Sequence, residues 1–310
     1  MTFSVIIPTL NRPSSLNECL LSIKKCNLKP DEIIVVDQSD NAETKKVIDK
    51  FSNELSINYI KLKIKSSTVS RNIGIKSATK DIIVFSDDDI EYQPDFFDVI
   101  SKIYDDKSIG LLGSFDELTC HQVPKYPSFV SYLFDFKEIH FKNKGYVTNS
   151  FLGRLPKFKS GNLIKTDWAM GYCFSIRREF AIEGKILFDE KLTGYAYAED
   201  LDYTFRYIKY LKSKGMTAYY SPNLLVKHHV SQEYRIPSEK FYLSYLSNRY
   251  YLIFKNKKHK RLFFFYLTNL GLRVLLSFKK DGAINNYKKA TKIFKKSKRS
   301  IKKGCFPTFE

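Results

Sequence analysis

The stretch Ile82-Ile83-Val84-Phe85-Ser86-Asp87-Asp88-Asp89-Ile90 joins a short apolar run to three consecutive carboxylates. The apolar run has the length and composition of a strand that is buried on both faces. The acids then follow its carboxyl end, where open α/β sheets bind their ligands. Adjacent carboxylates repel one another, and a hard divalent ion such as Mg²⁺ or Mn²⁺ relieves that repulsion because it prefers oxygen ligands. The stretch therefore predicts either a metal site or a solvated acidic turn.

Strand and helix patterns alternate along the first 230 residues. Short apolar strands are predicted at residues 3–7, 33–36, 57–62, 82–85 and 218–226. Helical spacing of apolar residues occurs at 16–23, 47–51, 68–78 and 199–211. This alternation with short connections predicts an α/β fold with a mostly parallel, doubly wound sheet flanked by helices. The sequence has neither a GxGxxG nor a GxxxxGK[ST] loop, which argues against a dehydrogenase or a P-loop enzyme.

The basic character of the chain is concentrated near its C-terminus. Formal net charge is +19, and residues 249–303 hold 18 Lys and Arg against one acid, Asp281. The rest of the chain has 34 bases and 32 acids, so the main domain is nearly neutral. The five cysteines form no CxxC pair and are odd in number, which favours free thiols in a reducing cytosol. The N-terminus resembles a first strand and not a signal peptide.

Six motifs, in order, resemble those of family 2 glycosyltransferases, which have the GT-A (Rossmann-like) fold and invert the anomeric centre. Each motif is weak alone, but their shared order and spacing over residues 1–230 are specific. The motifs are Ser4-Val5-Ile6-Ile7-Pro8-Thr9-Leu10-Asn11-Arg12, Val35-Val36-Asp37-Gln38-Ser39, Ser70-Arg71-Asn72-Ile73-Gly74, Phe85-Ser86-Asp87-Asp88-Asp89, residues 171–178, and Glu199-Asp200-Leu201-Asp202 with Arg206.

The resemblance implies roles for single residues on the donor side. The predicted donor-binding residues are Pro8, Thr9 and Arg12 in the nucleotide pocket, Asp37 on the base, Arg71 near the base or diphosphate, Asp87 near the ribose or sugar, and Asp88. Many members have a second acid where this chain has Gln38. This departure leaves the identity of the base open, whether uracil, thymine or another. The expected donor is a UDP- or dTDP-type sugar nucleotide.

The resemblance also implies the catalytic and metal-binding residues. Asp89 and Asp87 match a DxD pair that would hold Mn²⁺ or Mg²⁺, with His228 as a further ligand and Asp88 as a substitute. The alternative for His228 is a structural role after a strand. Asp200 matches the general base, and the alternative for this acidic pair is a helix N-cap. Acceptor contacts are implied for Trp168 and Glu199.

The chain is predicted to divide into a GT-A domain at residues 1–230 and a helical, basic region at residues 231–310. Within the first, residues 1–114 would bind the nucleotide and 115–230 the acceptor. Residues 113–166 are rich in aromatics, which indicates either an acceptor platform or an irregular aromatic core. Within the second, residues 262–278 are apolar but short for a membrane span, and Asn269, Arg273, Ser277 and Lys280 form a polar stripe. This region would either lie on an anionic membrane or pack as a core helix before a solvated tail.

Together these features predict a cytoplasmic enzyme, peripheral at the inner face of the cell membrane. It would transfer sugar from a nucleoside diphosphate sugar to a glycan or lipid-linked glycan in surface polysaccharide synthesis. The alternatives are a nucleotidyltransferase, which would release pyrophosphate, and a catalytically inactive scaffold that binds membranes. A nucleic-acid partner is not expected, because no RNA-binding motif accompanies the basic charge.

Overall fold

A computed structural model of the chain describes residues 1–120, 143–193, 196–231, 236–257, 259–279 and 281–308. Within the aromatic stretch at residues 113–166, predicted as an acceptor platform or aromatic core, residues 121–142 lie outside the described residues. Lys280, the last member of the predicted polar stripe, also lies outside them.

Strands and helices alternate over residues 3–86 as the sequence predicts, and two strands and a helix that were not predicted follow them. The elements of this part are β1 Phe3–Thr9, α1 Pro13–Lys24, β2 Glu32–Asp37, α2 Glu43–Phe51, β3 Ile57–Lys61, α3 Ser67–Ser77, β4 Ile82–Ser86, β5 Ile90–Tyr92, α4 Phe96–Tyr104 and β6 Ile109–Asp116.

The second part is less regular before it becomes wholly helical. It contains β7 Tyr146–Val147, β8 Gly153–Arg154, β9 Ile164–Lys165, β10 Cys173–Arg177, α5 Arg178–Glu183, α6 Glu199–Ser213 and β11 Thr217–His228. The C-terminal elements are α7 Ser238–Lys255, a 3₁₀ turn His259–Arg261, α8 Leu262–Ser277 and α9 Ala283–Lys302.

The central sheet has the strand order β3-β2-β1-β4-β10-β6-β11-β5, with β9 paired to β11. Strands β1, β2, β3, β4, β6 and β11 point one way, whereas β5, β9 and β10 run the other way. The sheet is therefore mostly parallel, as predicted. Strand β1 lies between β2 and β4, so the carboxyl ends of all three open on the same edge.

Strand β4 is buried on both faces, which its apolar sequence predicts. Ile82 and Val84 belong to one hydrophobic cluster, with α1, α2 and α4 residues. Ile83 and Phe85 belong to a second cluster on the other face, with α3 and α6 residues. Because alternate strand residues point to opposite faces, one short run anchors both helix layers and fixes where the three acids emerge.

The C-terminal helices share a third hydrophobic cluster with the sheet domain. Trp168 and Leu201 from the first 230 residues pack there with Tyr250, Phe265 and Phe294. Across the described residues, no helix combines the length and the apolar character that crossing a membrane requires.

The predicted polar stripe of α8 is split by this packing. Asn269 is buried, where its Oδ1 accepts a hydrogen bond from Arg249 and its backbone oxygen accepts one from Tyr287. Arg273 and Ser277 are exposed. The prediction of one polar face was wrong because Asn269 turns inward and contacts polar groups of α7 and α9. Helical spacing alone does not reveal these contacts.

Candidate active site

Three side chains converge just beyond the carboxyl end of β4. Asp87 and Asp89 follow this strand, and His228 is the last residue of β11, which pairs with β5 at Ile90 and is separated from β4 by β10 and β6. One ligand atom from each lies within 4.8 Å of the other two. Oδ1 of Asp89 is buried and has no hydrogen-bond partner among the described residues, although Nε2 of His228 lies 3.3 Å away. Two carboxylates and an imidazole form a donor set that suits Mn²⁺.

The electrostatics of this group favour charge on its members. Burial works against ionised Asp89, but the imidazole of His228 and the amide of Ser231 outweigh it, so the pKa of Asp89 lies below its usual value. Burial also disfavours the imidazolium form of His228, yet Asp89 and Asp87 raise its pKa above the ordinary value. The imidazolium of His228 balances part of the negative charge of Asp87 and Asp89, and a divalent ion held by these residues would balance it instead.

Asp88 points away from this group. Its Oδ2 accepts from the hydroxyl of Thr9 at 2.7 Å, and its Oδ1 accepts from Nη1 of Arg12 at 3.2 Å. Burial raises the pKa of Asp88 to about 7, while Arg12 and Thr9 act in the opposite direction. Asp88 is thus brought together with two predicted donor-binding residues and does not join Asp87, Asp89 and His228 as the substitute ligand.

His228 is oriented by two residues that the sequence analysis did not single out. Its backbone N–H donates to Oδ1 of Asp116 at 3.1 Å, and its ring stacks on Tyr172 with 5.2 Å between ring centroids. Asp116 is the last residue of β6. A search for acids at the carboxyl ends of strands, which points to Asp37 and Asp87, would therefore also find Asp116. The contact with Tyr172 carries no sequence signal, because the two residues are 56 positions apart.

The ends of β1, β2 and β3 form the edge where the sequence predicts the nucleotide. Thr9 and Asp37 are in register on adjacent strands, after Pro8. The carboxylate of Asp37 is fully buried and accepts from Tyr59, Lys61 and the backbone N–H of Ser39. Burial opposes its charge, but Lys61 and the other donors lower the pKa of Asp37 below its usual value. Its Oδ1 accepts one hydrogen bond and keeps capacity for another.

Arg71 of α3 connects the group of Asp87, Asp89 and His228 to the start of α6. Its guanidinium donates to Asp87 at 2.8 Å, to the backbone oxygen of Gly171 at 3.2 Å and to Glu199. The side chain is only 4% exposed. In this structure Arg71 therefore organises two acidic groups, and any contact with the donor stays a prediction.

Asp200 is held by backbone donors at the first turn of α6. Its Oδ2 accepts from the N–H of Gly171 at 2.7 Å, and its Oδ1 accepts from the N–H of Leu201 at 2.7 Å. A side chain at position 171 would collide with it, since an added Cβ would lie 2.9 Å from Cβ of Asp200. Burial raises the pKa of Asp200, and the two amides and Arg71 only partly oppose this.

Glu199 lies beside Asp200 but differs in its surroundings. Burial raises the pKa of Glu199 to about 7, Arg71 opposes that rise, and Asp200 adds to it. Neither acid acts as an N-cap, because the cap position is Ala198 and no side chain there accepts a hydrogen bond. This corrects the N-cap alternative.

Trp168 lies apart from these groups in the shared C-terminal cluster. Its ring is 4% exposed, its indole N–H donates to the backbone oxygen of Arg154, and the face of the ring is covered by Gly153. These contacts describe a packed core side chain. An acceptor contact from Trp168 remains a prediction, and this arrangement does not support it.

Comparison with known proteins identifies the fold and family. Residues 4–160 match the family model for glycosyl transferase family 2. The chain is similar to the uncharacterized glycosyltransferase YwdF of Bacillus subtilis (strain 168), with 31% identity over 147 residues, 45% of this chain and 53% of the relative. It is also similar to the poly(ribitol-phosphate) beta-N-acetylglucosaminyltransferase TarS of Staphylococcus aureus (strain Mu50 / ATCC 700699), with 31% identity over 93 residues, 29% of this chain and 16% of TarS. The chain thus spans about half the length of YwdF and less of TarS.

Two solved structures share the architecture over most of the chain. The mannosyltransferase PcManGT from Pyrobaculum calidifontis, in complex with GDP-Man and Mn²⁺, gives a TM-score of 0.55 at 14% identity, covering 97% of this chain and 83% of that one. TarS 1-349 from S. aureus, in complex with UDP-GlcNAc, gives 0.52 at 16% identity, covering 97% and 88%. These likenesses establish the GT-A fold that the sequence predicts. The fold and the match to residues 4–160 lead to one conclusion: the chain belongs to glycosyl transferase family 2.

Proposed function

We propose that this chain is a metal-dependent, inverting glycosyltransferase that moves a sugar from a nucleoside diphosphate sugar to a hydroxyl group of a glycan. One observation carries the proposal: Arg71 joins a three-residue metal-binding group on one side to the carboxylates at the start of α6 on the other. A transferase of this kind needs both parts close together, since one serves the leaving diphosphate and the other serves the acceptor.

The donor would lie along the ends of β1, β2 and β4. Thr9, Arg12 and Asp88 form one linked set there, and Asp37 with Lys61 forms another. We assign the nucleobase to the side of the site near Asp37 and the diphosphate to the side near Arg12. The guanidinium of Arg12, which lies next to Asp88 and Asp89, supplies positive charge there. A UDP- or dTDP-type donor fits this assignment, and Gln38 leaves the choice between them open.

Asp87, Asp89 and His228 would hold Mn²⁺ or Mg²⁺, and the unpartnered Oδ1 of Asp89 supports this. Such an ion, when bound, would act as a Lewis acid that stabilises the negative charge on the departing diphosphate. The protein then needs no acid to protonate the leaving group. One carboxylate is enough, in contrast with the two that glycosidases use.

Asp200 would be the general base that takes the proton from the acceptor hydroxyl. The N–H groups of Gly171 and Leu201 fix its orientation. Its raised pKa makes it a stronger base than an exposed carboxylate, provided that it stays ionised near neutral pH. The acceptor oxygen would attack the anomeric carbon from the face opposite the diphosphate, which inverts the configuration. Glu199 would contact the acceptor from the neighbouring position.

The acceptor is proposed to be a glycan or a lipid-linked glycan of a surface polysaccharide. The similarity to TarS, a poly(ribitol-phosphate) beta-N-acetylglucosaminyltransferase, supports this class but not a particular acceptor. The basic charge of residues 249–303 supports a site of action at the inner face of the cell membrane.

The proposal is tested by incubating the chain with UDP-, dTDP- and GDP-sugars in the presence of Mn²⁺, Mg²⁺ or EDTA. A donor that binds only the folded chain raises the melting temperature, and only with the metal present. Released nucleoside diphosphate is then assayed, and the anomeric configuration of the product is read by NMR. Release of pyrophosphate would indicate a nucleotidyltransferase, and full turnover in EDTA would contradict the role of the metal.

A further inference from the structure

Helix α8 turns large apolar side chains toward solvent along one face. Phe263, Tyr266, Leu270 and Val274 recur every three or four residues and are exposed, and Phe278 follows directly after the helix. Leu270 is 52% exposed and Phe278 is 78% exposed. These five residues are called the α8 apolar face. Side chains at this spacing lie on the same side of a helix, so they form one continuous surface.

The opposite side of α8 packs against the protein. Phe265 and Leu276 are buried in the C-terminal cluster, and the polar Asn269 is buried with them. An ordinary surface helix turns its apolar stripe inward and its polar residues outward. Helix α8 has apolar residues on both sides, and the exposed ones recur at helical spacing and are not scattered singly over the surface.

The α8 apolar face is bordered by the basic face of α9. Helix α9 buries Tyr287, Ala290 and Phe294 against its neighbours. Nζ of Lys298 lies 4.8 Å from the centre of the Tyr266 ring, which brings the two surfaces into contact. The exposed basic residues of α9 are Lys288, Lys289, Lys292, Lys295, Lys296, Arg299 and Lys302.

We infer that the α8 apolar face is the surface through which this chain lies on an anionic lipid bilayer. Its aromatic and aliphatic side chains would enter the interfacial region, while the α9 lysines contact the anionic headgroups. Sixteen residues span about 24 Å along a helix axis, less than the hydrocarbon core, so α8 lies in the interface and does not cross it. This inference rests on the proposed placement at a membrane and assigns that role to one helix face.

A second copy of this chain is the competing occupant of the surface. Charge decides against it, because residues 249–303 carry 18 Lys and Arg against one acid in each copy. Two such segments brought face to face repel each other, whereas an anionic bilayer attracts both the charge and the apolar face. Apolar side chains beside a dense basic surface are the combination that interfacial helices use.

The test compares flotation of the full chain on vesicles of phosphatidylcholine mixed with phosphatidylglycerol and on vesicles of phosphatidylcholine alone. The wild-type chain is expected to bind the anionic vesicles, and added salt is expected to weaken binding. The double variant Leu270→Gln/Phe278→Gln is expected to partition at least about tenfold less, since it removes two large side chains from the interface. A matched control is Leu28→Gln/Ile182→Gln, which changes two exposed apolar residues elsewhere and should bind like the wild type.

Three outcomes would overturn the inference. The wild-type chain could fail to bind anionic vesicles, or the two double variants could bind equally. Sedimentation could also reveal a dimer of the wild-type chain that only Leu270→Gln/Phe278→Gln dissociates, which would make a second copy the occupant. The increase in melting temperature with donor and Mn²⁺ is measured on every variant, so a failure of the proposed chemistry is recognised separately.

Discussion

At the scale of single residues, two adjacent carboxylates could act as the base. Successive helix residues are about 100° apart, so Glu199 and Asp200 cannot point in the same direction. Asp200 is fixed by two backbone amides, whereas Glu199 is paired with Arg71. Asp200→Asn is nearly isosteric and is expected to keep donor binding while reducing transfer at least about 10²-fold.

Glu199→Gln is the matched comparison and should reduce transfer less. Both variants are assayed for turnover and for the increase in melting temperature with donor. If Asp200→Asn transfers sugar at close to the wild-type rate and Glu199→Gln loses transfer, Glu199 is the general base.

The second residue prediction concerns the metal. Asp89→Asn removes a charge from the proposed metal site of Asp87, Asp89 and His228 but retains the shape of the side chain. The nucleoside diphosphate should then no longer raise the melting temperature in the presence of Mn²⁺, because a neutral amide is a poor ligand for a hard cation. Glu91→Gln is the control: Glu91 lies two residues further on and pairs with Lys227 and His229 outside this group. An unchanged, Mn²⁺-dependent increase in Asp89→Asn would remove Asp89 from the ligand set.

Much of this site could be anticipated from the sequence because the carboxyl ends of parallel strands lie at the same edge of a sheet. Thr9, Asp37 and Asp87 each end or follow such a strand, and the structure brings them to that edge. Lys61 and Asp116 end strands as well and could have been found by the same rule. The packed position of Trp168 could not be predicted in this way, because its partners come from distant segments of the chain and no local sequence pattern connects them.

At the scale of elements, one lysine of the C-terminal region forms an ion pair with α6, in addition to the apolar packing of Leu201. Nζ of Lys255 in α7 lies 2.7 Å from Asp189 and 2.8 Å from Asp202. Asp202 is buried in α6 and also pairs with Arg206, as the i,i+4 spacing predicts. The helix that presents Asp200 is therefore positioned in part by α7, and both helices lie outside the residues matched by the family model.

Lys255→Met keeps the aliphatic stem but removes the ammonium group. It is expected to lower the free energy of unfolding by about 1.5–3 kcal/mol, the contribution of hydrogen bonds to charged groups. Transfer should fall while the donor still raises the melting temperature, because the donor edge lies on other elements. Lys240→Met changes an exposed lysine on the same helix and serves as the control. Equal unfolding curves for the two variants would show that Lys255 does not couple the helices.

Element order was easier to predict than element pairing. Strand β10 lies within the motif at residues 171–178, but its insertion between β4 and β6, antiparallel to both, was not predicted. Cys173 pairs with Ser86 across 87 positions, and nothing in either segment identifies the other. The orientation of α8 was misjudged for a related reason, since Asn269 turns inward toward Arg249 and Tyr287.

At the scale of the whole molecule, the boundary predicted near residue 230 divides two regions of different charge but not two separate cores. The C-terminal cluster contains Phe151, Trp168 and Leu201 together with side chains of α7, α8 and α9. We expect the full chain to unfold as one cooperative unit, because neither side of the boundary can keep that cluster buried alone. Separate unfolding transitions in calorimetry would instead support two independent domains.

Arg249 offers the most direct test of this joint core. Its side chain is fully buried, and its guanidinium donates from two nitrogens to the backbone oxygen of Ser150, on the loop between β7 and β8. The same group reaches Thr268 and Asn269 of α8, and it lies against Tyr245 and Phe265. One side chain thus connects the sheet domain with two C-terminal helices.

Arg249→Lys preserves the positive charge but loses the planar fork that makes these contacts at the same time. Because buried acceptors would be left unsatisfied, we expect a loss of about 2 kcal/mol or more in the free energy of unfolding. The matched control is Arg273→Lys on the exposed side of α8, which should change stability by less than about 0.5 kcal/mol. Urea unfolding followed by fluorescence of Trp168, which lies in this cluster, measures both variants. If Arg249→Lys unfolds like Arg273→Lys, the C-terminal helices are held by apolar contacts alone and the buried guanidinium does not join the two parts.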